Sequence, residues 1–416
     1  MLFRIMKKLL KIILVILGAV LAALLLFVLV ALIANPINRA SMEEYIDGWE
    51  RVEYENQLTP NIDERGNYYF TTDGEFRVMQ ITDVHLGGGF LFSEGDRKAI
   101  YAVAEMISTE RPDLVVVTGD ISFAVPWSGT LNNAYAHGYF TRLMENLGVY
   151  YTVTFGNHDT EKYNYHDRAA VGAMYESEEL RYCLFSTGPA DVYGECNHVI
   201  NVTNTAGLIT SSMVMIDSNS YSEKDVFGIG WDYDNVHDDQ IDWYRENIEY
   251  YTQRNVDLYT TLDISARPAD FDLSRLQSFV YMHIPPAEMR GAYLDAAGEG
   301  SYDADKNGIV GEGEPYVFSS EYPDGLFEEI VALGSTRGVF FGHDHLNSLR
   351  FVKDGVLLAY GMSIDYSAYA GGTGYQRGCA VLTLDGGEWD FVQLNYYSGR
   401  YDNLPDDVDM QPPLGA

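Results

Sequence analysis

The sequence predicts an α/β protein, a four-layer sandwich of two mixed β-sheets flanked by helices, preceded by one N-terminal transmembrane helix. Three observations lead to this prediction. Residues 12–34 carry no polar side chain. From Phe76 to Phe155, apolar strand patterns alternate with helical patterns. Between about 213 and 395 several further strands follow one another without a helix, which indicates mixed sheets that pack together.

The apolar run of residues 12–34 is long enough to cross a bilayer. Its 23 residues, at about 1.5 Å each, span the hydrocarbon core of about 30 Å. A cleaved signal peptide is the alternative, but its apolar stretch is normally only about 7 to 15 residues long. Leu32 also occupies the position where a cleavage site needs a small residue. An uncleaved anchor is therefore favoured.

The charges around this run predict its orientation. Basic residues precede it, whereas acidic residues predominate just after it, so the positive-inside rule places the N-terminus in the cytoplasm and the rest of the chain outside. The basic residues are Arg4, Lys7, Lys8 and Lys11. The predicted organisation is a cytoplasmic N-terminus (1–11), an anchor (12–34), a stalk (35–75), a catalytic domain (76–400) and a flexible tail (401–416).

The net charge limits the possible partners. It is −34 at pH 7 for the whole chain, and the external part is more acidic still because the four leading basic residues lie inside. Such a field repels polyanions, which argues against nucleic-acid polymers and favours a small substrate. The three cysteines show no metal-binding spacing.

The polar residues of greatest interest follow the ends of apolar strands, which is where ligands bind in open α/β sheets. They form five groups: Asp83 with His85, Asp120, Asn157 with His158 and Asp159, His283, and His343 with His345. Taken singly, each group is also ordinary turn chemistry. Five groups rich in Asp, His and Asn at five strand ends instead indicate a site for two divalent cations about 3.5 to 4 Å apart.

These residues resemble the signature of the calcineurin-like metallophosphoesterase superfamily, D-x-H, G-D, G-N-H-D, H and G-H-x-H, over residues 76–350. The resemblance implies that Asp120 bridges two ions. It implies a first ion held by Asp83, His85, Asp120 and His345, and a second held by Asp120, Asn157, His283 and His343. It also implies phosphate-ester hydrolysis by a metal-bridging hydroxide, with His158 contacting the phosphate or protonating the leaving group and Asp159 as its partner.

The segment that begins at His283 is similar to the purple-acid-phosphatase-like branch of this superfamily. Two positions depart from purple acid phosphatases proper: His85 stands where they have Gly, and Phe123 where they have the Tyr that binds ferric iron. A Tyr-bound ferric ion is therefore not expected. Mn, Fe, Zn and Mg remain open as the two metals.

A second metal pattern lies between residues 303 and 314 and matches the twelve-residue EF-hand loop, D-x-D-x-N-G-x5-E. Its expected calcium ligands are Asp303, Asp305, Asn307, the carbonyl of Ile309 and Glu314. The flanking sequence is not clearly helical, so the pattern predicts a structural calcium loop within the catalytic domain.

The sequence thus predicts a membrane-anchored, external, metal-dependent phosphoesterase that acts on small phosphate esters. Two alternatives stay open. One is a surface protein that retains the metals without turnover, although the presence of His158 favours an enzyme. The other is a phosphodiesterase that acts on lipid head groups, which the anchor's proximity to lipid favours.

Overall fold

The computed structural model describes residues 2–268, 271–291, 317–368 and 377–401. The strands are β1 Asn61–Ile62, β2 Tyr68–Thr71, β3 Phe76–Ile81, β4 Leu114–Thr118, β5 Tyr151–Thr154, β6 His198–Thr203, β7 Ile209–Met215, β8 Ser278–Tyr281, β9 Thr336–Phe341, β10 Arg350–Lys353, β11 Val356–Tyr360, β12 Gly378–Asp385 and β13 Glu388–Asn395. The helices are α1 Leu2–Asp47, α2 Ser93–Glu110, α3 Ala134–Leu147, α4 Arg168–Tyr175, α5 Asp238–Thr261 and α6 Leu326–Leu333. The β-α-β-α-β series predicted from residue 76 corresponds to β3 through β5.

Within the described residues the strands form two mixed sheets. The smaller sheet has the order β13-β12-β3-β4-β5, in which β3, β4 and β5 run parallel. The larger sheet has the order β1-β2-β6-β7-β8-β9-β11-β10, in which β7, β8 and β9 run parallel. The carboxyl ends of parallel strands lie at one edge of a sheet, so each sheet gathers the residues that follow its strands.

Alternation along the strands fills three apolar layers. Val116 of β4 and Phe279 of β8 point into the interface between the two sheets. Val115 of β4 faces the opposite way, toward α1, α2 and α3. On the far side of the molecule, Val280 of β8 packs with Tyr244 of α5 and the apolar face of α6. The resulting order of helices, sheet, sheet and helices is the predicted four-layer sandwich.

Helix α1 combines an apolar segment with a part of the folded domain. Among the described residues it is the one helix long and apolar enough to cross a membrane. The helix continues past this run to Asp47, and Met42 and Ile46 are completely buried against α2 and α3. Strand β2 pairs with β6 inside the larger sheet. The segment 35–75 is therefore part of the folded domain rather than a separate stalk, because Met42, Ile46 and Phe70 lie in the core and β2 pairs within the larger sheet.

Candidate metal centre

The predicted site residues follow five strands that end at one side of the sandwich. Asp83 and His85 follow β3, Asp120 follows β4, Asn157 and His158 follow β5, His283 follows β8, and His343 and His345 follow β9. The smaller sheet supplies the first three groups and the larger sheet the other two. The structure thus brings all seven predicted metal ligands and His158 together.

One group of donor atoms comes from Asp83, His85, Asp120 and His345, whose candidate ligand atoms all lie within 4.8 Å of one another. His85 Nε2 lies 3.2 Å from Asp120 Oδ2, and His345 Nε2 lies 3.5 Å from Asp83 Oδ1. Two carboxylates and two imidazoles at this spacing fit a divalent cation such as Mn, Fe or Zn.

A second group shares Asp120 and adds His283 and His343 within the same 4.8 Å limit. His283 Nε2 lies 3.2 Å from Asp120 Oδ2, the same oxygen that faces His85. His283 Nε2 lies 3.2 Å from Asn157 Oδ1 and 3.3 Å from His343 Nδ1. Asp120 therefore stands between two donor groups, as a bridging ligand must.

The outer sides of the candidate ligand rings face a backbone carbonyl or a carboxylate. His283 Nδ1 donates to the carbonyl of Thr118 at 2.8 Å, which leaves Nε2 facing the site. Asp365 lies 3.2 Å from His345 Nδ1 and 3.6 Å from His85 Nδ1. An outer carboxylate or carbonyl that fixes the tautomer is typical of metal-bound histidine. Sequence reasoning missed Asp365, which follows the end of β11 by five residues and belongs to no motif.

The electrostatics of the cluster favour a bound cation. Burial alone would raise the pKa of Asp120, but His283 and His158 hold that pKa well below its ordinary range. Burial lowers the pKa of His283 and the neighbouring Asp120 raises it, to about 9 overall. Without metal, His283 thus favours its protonated, positively charged form beside Asp120. A divalent ion would supply the positive charge instead and release this proton.

Several candidate ligands adopt backbone conformations that are unusual for residues with a side chain. Asp83, His85, Asp120 and His343 have φ angles of 51°, 52°, 52° and 79°. Such strain clusters at functional sites and persists only where surrounding structure enforces it. Close packing also requires glycine at position 156, because a Cβ atom there would lie 2.1 Å from Asp120 Oδ1.

His158 stands beside the ligand groups and has a buried acidic partner. Its Nδ1 lies 2.8 Å from Oε1 of Glu161, whose side chain is 5% exposed. The predicted partner Asp159 has a different role: its carboxylate accepts hydrogen bonds from the backbone N–H groups of Asp120, Ser122 and Gly156. Asp159 as the partner of His158 is therefore corrected to Glu161. An acid three residues after the histidine was the available sequence signal, but Asp159 was adjacent in the motif.

A cleft of about 540 Å³ opens over His158, His343 and His345. Its walls are mainly aromatic, and its lining contains no Lys or Arg among the described residues. The aromatic members are Phe123, Trp127, Tyr163, Tyr221, Phe227, Trp231, Tyr233 and Phe318. Phe123, at the position where purple acid phosphatases carry the ligand Tyr, stacks on His85 with ring centroids 4.9 Å apart. It supplies no oxygen ligand.

A two-sheet sandwich with a shared-carboxylate donor set at its strand ends defines the class of dinuclear metallophosphoesterases. The family model for calcineurin-like phosphoesterases matches residues 76–347, well over half of the chain. The chain therefore belongs to that family.

Curated relatives place the chain near purple acid phosphatases. "Probable inactive purple acid phosphatase 29" of Arabidopsis thaliana is 25% identical over 80% of this chain and 84% of its own length. "Probable inactive purple acid phosphatase 14" of the same plant is 25% identical over 75% and 76%. A solved dimetal phosphatase from Danio rerio aligns over 78% of this chain and 97% of its own, with 12% identity and a TM-score of 0.47.

The predicted calcium loop lies outside the described residues. Asp303, Asp305, Asn307, Ile309 and Glu314 all belong to the segment 292–316, so its calcium ligation remains a sequence prediction. The predicted tail also lies outside the described residues, except for Tyr401.

Proposed function

We propose that this protein is a membrane-anchored phosphoesterase that hydrolyses small phosphate esters at a dinuclear metal centre outside the membrane. The observation that carries the proposal is the pair of donor groups joined by Asp120 at the floor of a cleft that also presents His158. A second carboxylate, Glu161, holds that histidine from behind. A protein that merely retains metals has no need of a histidine positioned beside the metal ligands by a buried carboxylate.

The proposed ligand roles follow the two donor groups. Asp83, His85 and His345 would hold one ion, Asn157, His283 and His343 would hold the other, and Asp120 would contribute to both. Divalent cations in these positions lower the pKa of bound water and neutralise the phosphoryl oxygens of the substrate. The two ions, together with His158 in the cleft lining, would neutralise the substrate's charge.

His158 acts on the leaving group in this proposal. Glu161 accepts the Nδ1–H bond, which turns Nε2 away from Glu161. A positioned imidazole within reach of a leaving oxygen contributes about 10² to 10⁴ to the rate as a general acid. The edge of its ring contacts Phe123, with centroids 5.1 Å apart, which further limits its rotation.

The activity is tested on the full chain in detergent micelles with para-nitrophenyl phosphate and bis(para-nitrophenyl) phosphate. We expect hydrolysis of at least one ester, its loss after treatment with a chelator, and recovery on addition of Mn²⁺ or a similar ion. Asp120→Ala, purified in parallel, is the control for a contaminating hydrolase and must be inactive. A metal-loaded wild-type protein that hydrolyses neither ester would leave the binding-protein alternative, which the names of the plant relatives favour.

The proposed topology is tested by labelling with a membrane-impermeant maleimide in intact cells. The three native cysteines are buried and unpaired, so an introduced surface cysteine gives the signal. Glu388→Cys, on an exposed position of β13, should label without lysis, whereas Lys7→Cys should label only after lysis. The reverse pattern would place the catalytic domain in the cytoplasm.

A further inference from the structure

The polar end of the apolar helix is joined directly to the catalytic cleft. Asn35 is the first polar residue after the apolar run, and its Nδ2 donates to the carbonyl of Gly129 at 2.8 Å. Its Oδ1 accepts the backbone N–H of Phe90 at 3.0 Å. The segment 126–129 that receives Asn35 includes Trp127, a wall residue of the cleft. The segment that carries one wall of the cleft is therefore bonded to the end of the apolar run.

An apolar hollow lies between the domain and the residues of α1 that precede Asn35. Phe27, Val28, Ala31 and Leu32 of α1 line a cavity of about 350 Å³ together with Pro126, which also lines the catalytic cleft. Tyr165 lies on the rim of this hollow and Trp127 on the rim of the cleft; both are more than 60% exposed. Tyr and Trp are the residues enriched where a membrane meets water.

The position of the cleft relative to the apolar run is fixed by the packing of α1. Helix α1 is a single helix from the apolar run to Asp47, with Pro36 inside it. Beyond Asn35 it is anchored by Met42 and Ile46, which are completely buried against the domain. Arg142 also pairs with Asp47 at 2.6 Å. A domain on a flexible tether would sample many orientations, whereas this one presents the same face to the membrane.

A loop on another side of the same cleft carries exposed apolar side chains. Val226, Phe227, Ile229 and Trp231 are 46%, 55%, 84% and 64% exposed, and two of them line the cleft. The loop is ordered by Asp225, whose carboxylate accepts the backbone N–H groups of residues 229, 230 and 232. Clustered large apolar groups on a fixed loop mark a surface that meets another apolar phase.

We propose that the substrate is a phosphate ester of a lipid in the same membrane, which enters the cleft from the bilayer between the segment 126–129 and the loop 225–231. This inference rests on the proposed phosphoesterase function and adds the class of substrate. Water attacks phosphorus, the bond from phosphorus to the leaving oxygen breaks, and His158 gives its proton to that oxygen. The proton that the attacking water loses passes through solvent and restores the proton of His158. The products are an alcohol and a phosphate or phosphomonoester, one of which stays in the bilayer.

Lipid explains two features that a soluble ester does not require. A nucleotide could also stack on the aromatic walls, but it would arrive from water and would gain nothing from Ile229, which is 84% exposed and does not line the cleft. It would also not require a cleft wall bonded to the last turn of the apolar run. The strongly acidic charge of the chain offers no attraction to anionic lipid surfaces, so contact between the domain surface and the membrane depends on the anchoring helix and on apolar side chains.

The test uses the full chain in phosphatidylcholine vesicles that contain either dioleoyl phosphatidate, a monoester, or dioleoyl phosphatidylglycerol, a diester. Para-nitrophenyl phosphate and its bis ester serve as soluble probes, and the readout is the ratio of lipid to aryl-ester turnover. We expect the wild-type protein to hydrolyse one of the lipids. Ile229→Ser should lower the ratio on the order of tenfold, as loss of one isoleucine's apolar burial predicts.

Ile264→Ser is the matched control, because Ile264 is 85% exposed on a short turn that is not part of the cleft. Its ratio should equal that of the wild type. Turnover of aryl esters with neither lipid cleaved would overturn the lipid proposal and leave the phosphoesterase standing. Equal ratios in Ile229→Ser and Ile264→Ser would also overturn it. Turnover of no probe at all would overturn both proposals.

Discussion

The separate roles of Glu161 and Asp159 lead to a prediction that two conservative substitutions can test. Glu161→Gln keeps the shape of the side chain but removes the charge that faces His158 Nδ1 at 2.8 Å. A hydrogen bond to a charged group contributes about 1.5 to 3 kcal/mol. If this energy serves to hold the imidazole in the transition state, kcat should fall by roughly 10 to 150-fold. Metal content should not change, because Glu161 belongs to neither donor group.

Asp159→Asn should have the opposite profile. Its Oδ2 accepts the N–H groups of Asp120 and Gly156, and its Oδ1 accepts that of Ser122. An amide can keep the two bonds to Oδ2 only by turning its NH2 group toward the buried N–H of Ser122. The lost bond and the unsatisfied donor together cost about 2 to 5 kcal/mol. We expect a lower melting temperature and weaker metal retention, with kcat within a few-fold of wild type at saturating Mn²⁺.

The two variants are compared by metal analysis, thermal unfolding and steady-state kinetics at a temperature where both remain folded. The assignment of Glu161 requires a kinetic defect in Glu161→Gln and a stability defect in Asp159→Asn. A fully metal-loaded, normally stable Asp159→Asn protein with a large loss of kcat would refute it. That result would return Asp159 to the chemistry, as the sequence motif suggested.

A second pair of variants distinguishes metal ligand from proposed acid. Asp120→Ala should lose metal and activity together, whereas His158→Ala should keep its metals and turn over about 10² to 10⁴ times more slowly. A third prediction concerns pH. Burial raises the pKa of Asp96 from 3.8 to about 7, so its stabilising contribution is complete below about pH 4 and is lost as pH rises through 7. Urea unfolding should show this decline for wild type but not for Asp96→Asn. Finally, calcium should raise the melting temperature by binding residues 303–314, and Glu314→Ala should abolish most of that increment.

The parts of the fold that could be predicted are those where the sequence pattern is mainly apolar. Strands β3, β4 and β5 are buried parallel strands separated by helices α2 and α3, and they read as mainly apolar runs even though β3 contains Arg77 and Gln80. Helix α5 could not be recognised in the same way. Its buried face carries Gln240, Asn247 and Asn255 beside its apolar residues, and polar residues on both faces hide the helical period.

The short strands and the predicted stalk show a different limit. Strand β2 has four residues and β1 has two, and neither is stable without its neighbour in the larger sheet. The pairing partner of β2 is β6, which begins 130 residues later in the chain. Local patterns carry no information about a contact at that distance, so a segment that looked polar and connecting became part of the sheet.

The candidate ligands could be found from sequence because a metal needs particular donor atoms, and strand ends place those atoms together. The outer residues are less constrained. Asp365 reaches His85 and His345 from a loop after β11, and Glu161 reaches His158 by a turn of the chain. Any acid in the right position could serve either purpose. Only the folded backbone shows that Glu161, three residues after His158, is its partner and that the adjacent Asp159 is not.

The strained backbone of the ligands is held by hydrogen bonds among the ligands themselves. Asp83 accepts the backbone N–H of His343 at 3.1 Å, and the N–H of His85 donates to the carbonyl of Asp120 at 3.0 Å. The two oxygens of Asp120 have different tasks: Oδ1 accepts the N–H of His158 at 2.8 Å, while Oδ2 faces both donor groups. Each ligand therefore supports the position of another. Substitutions at Asp120 and His158 should consequently be non-additive, because loss of the bridging carboxylate also releases the backbone that positions the proposed acid.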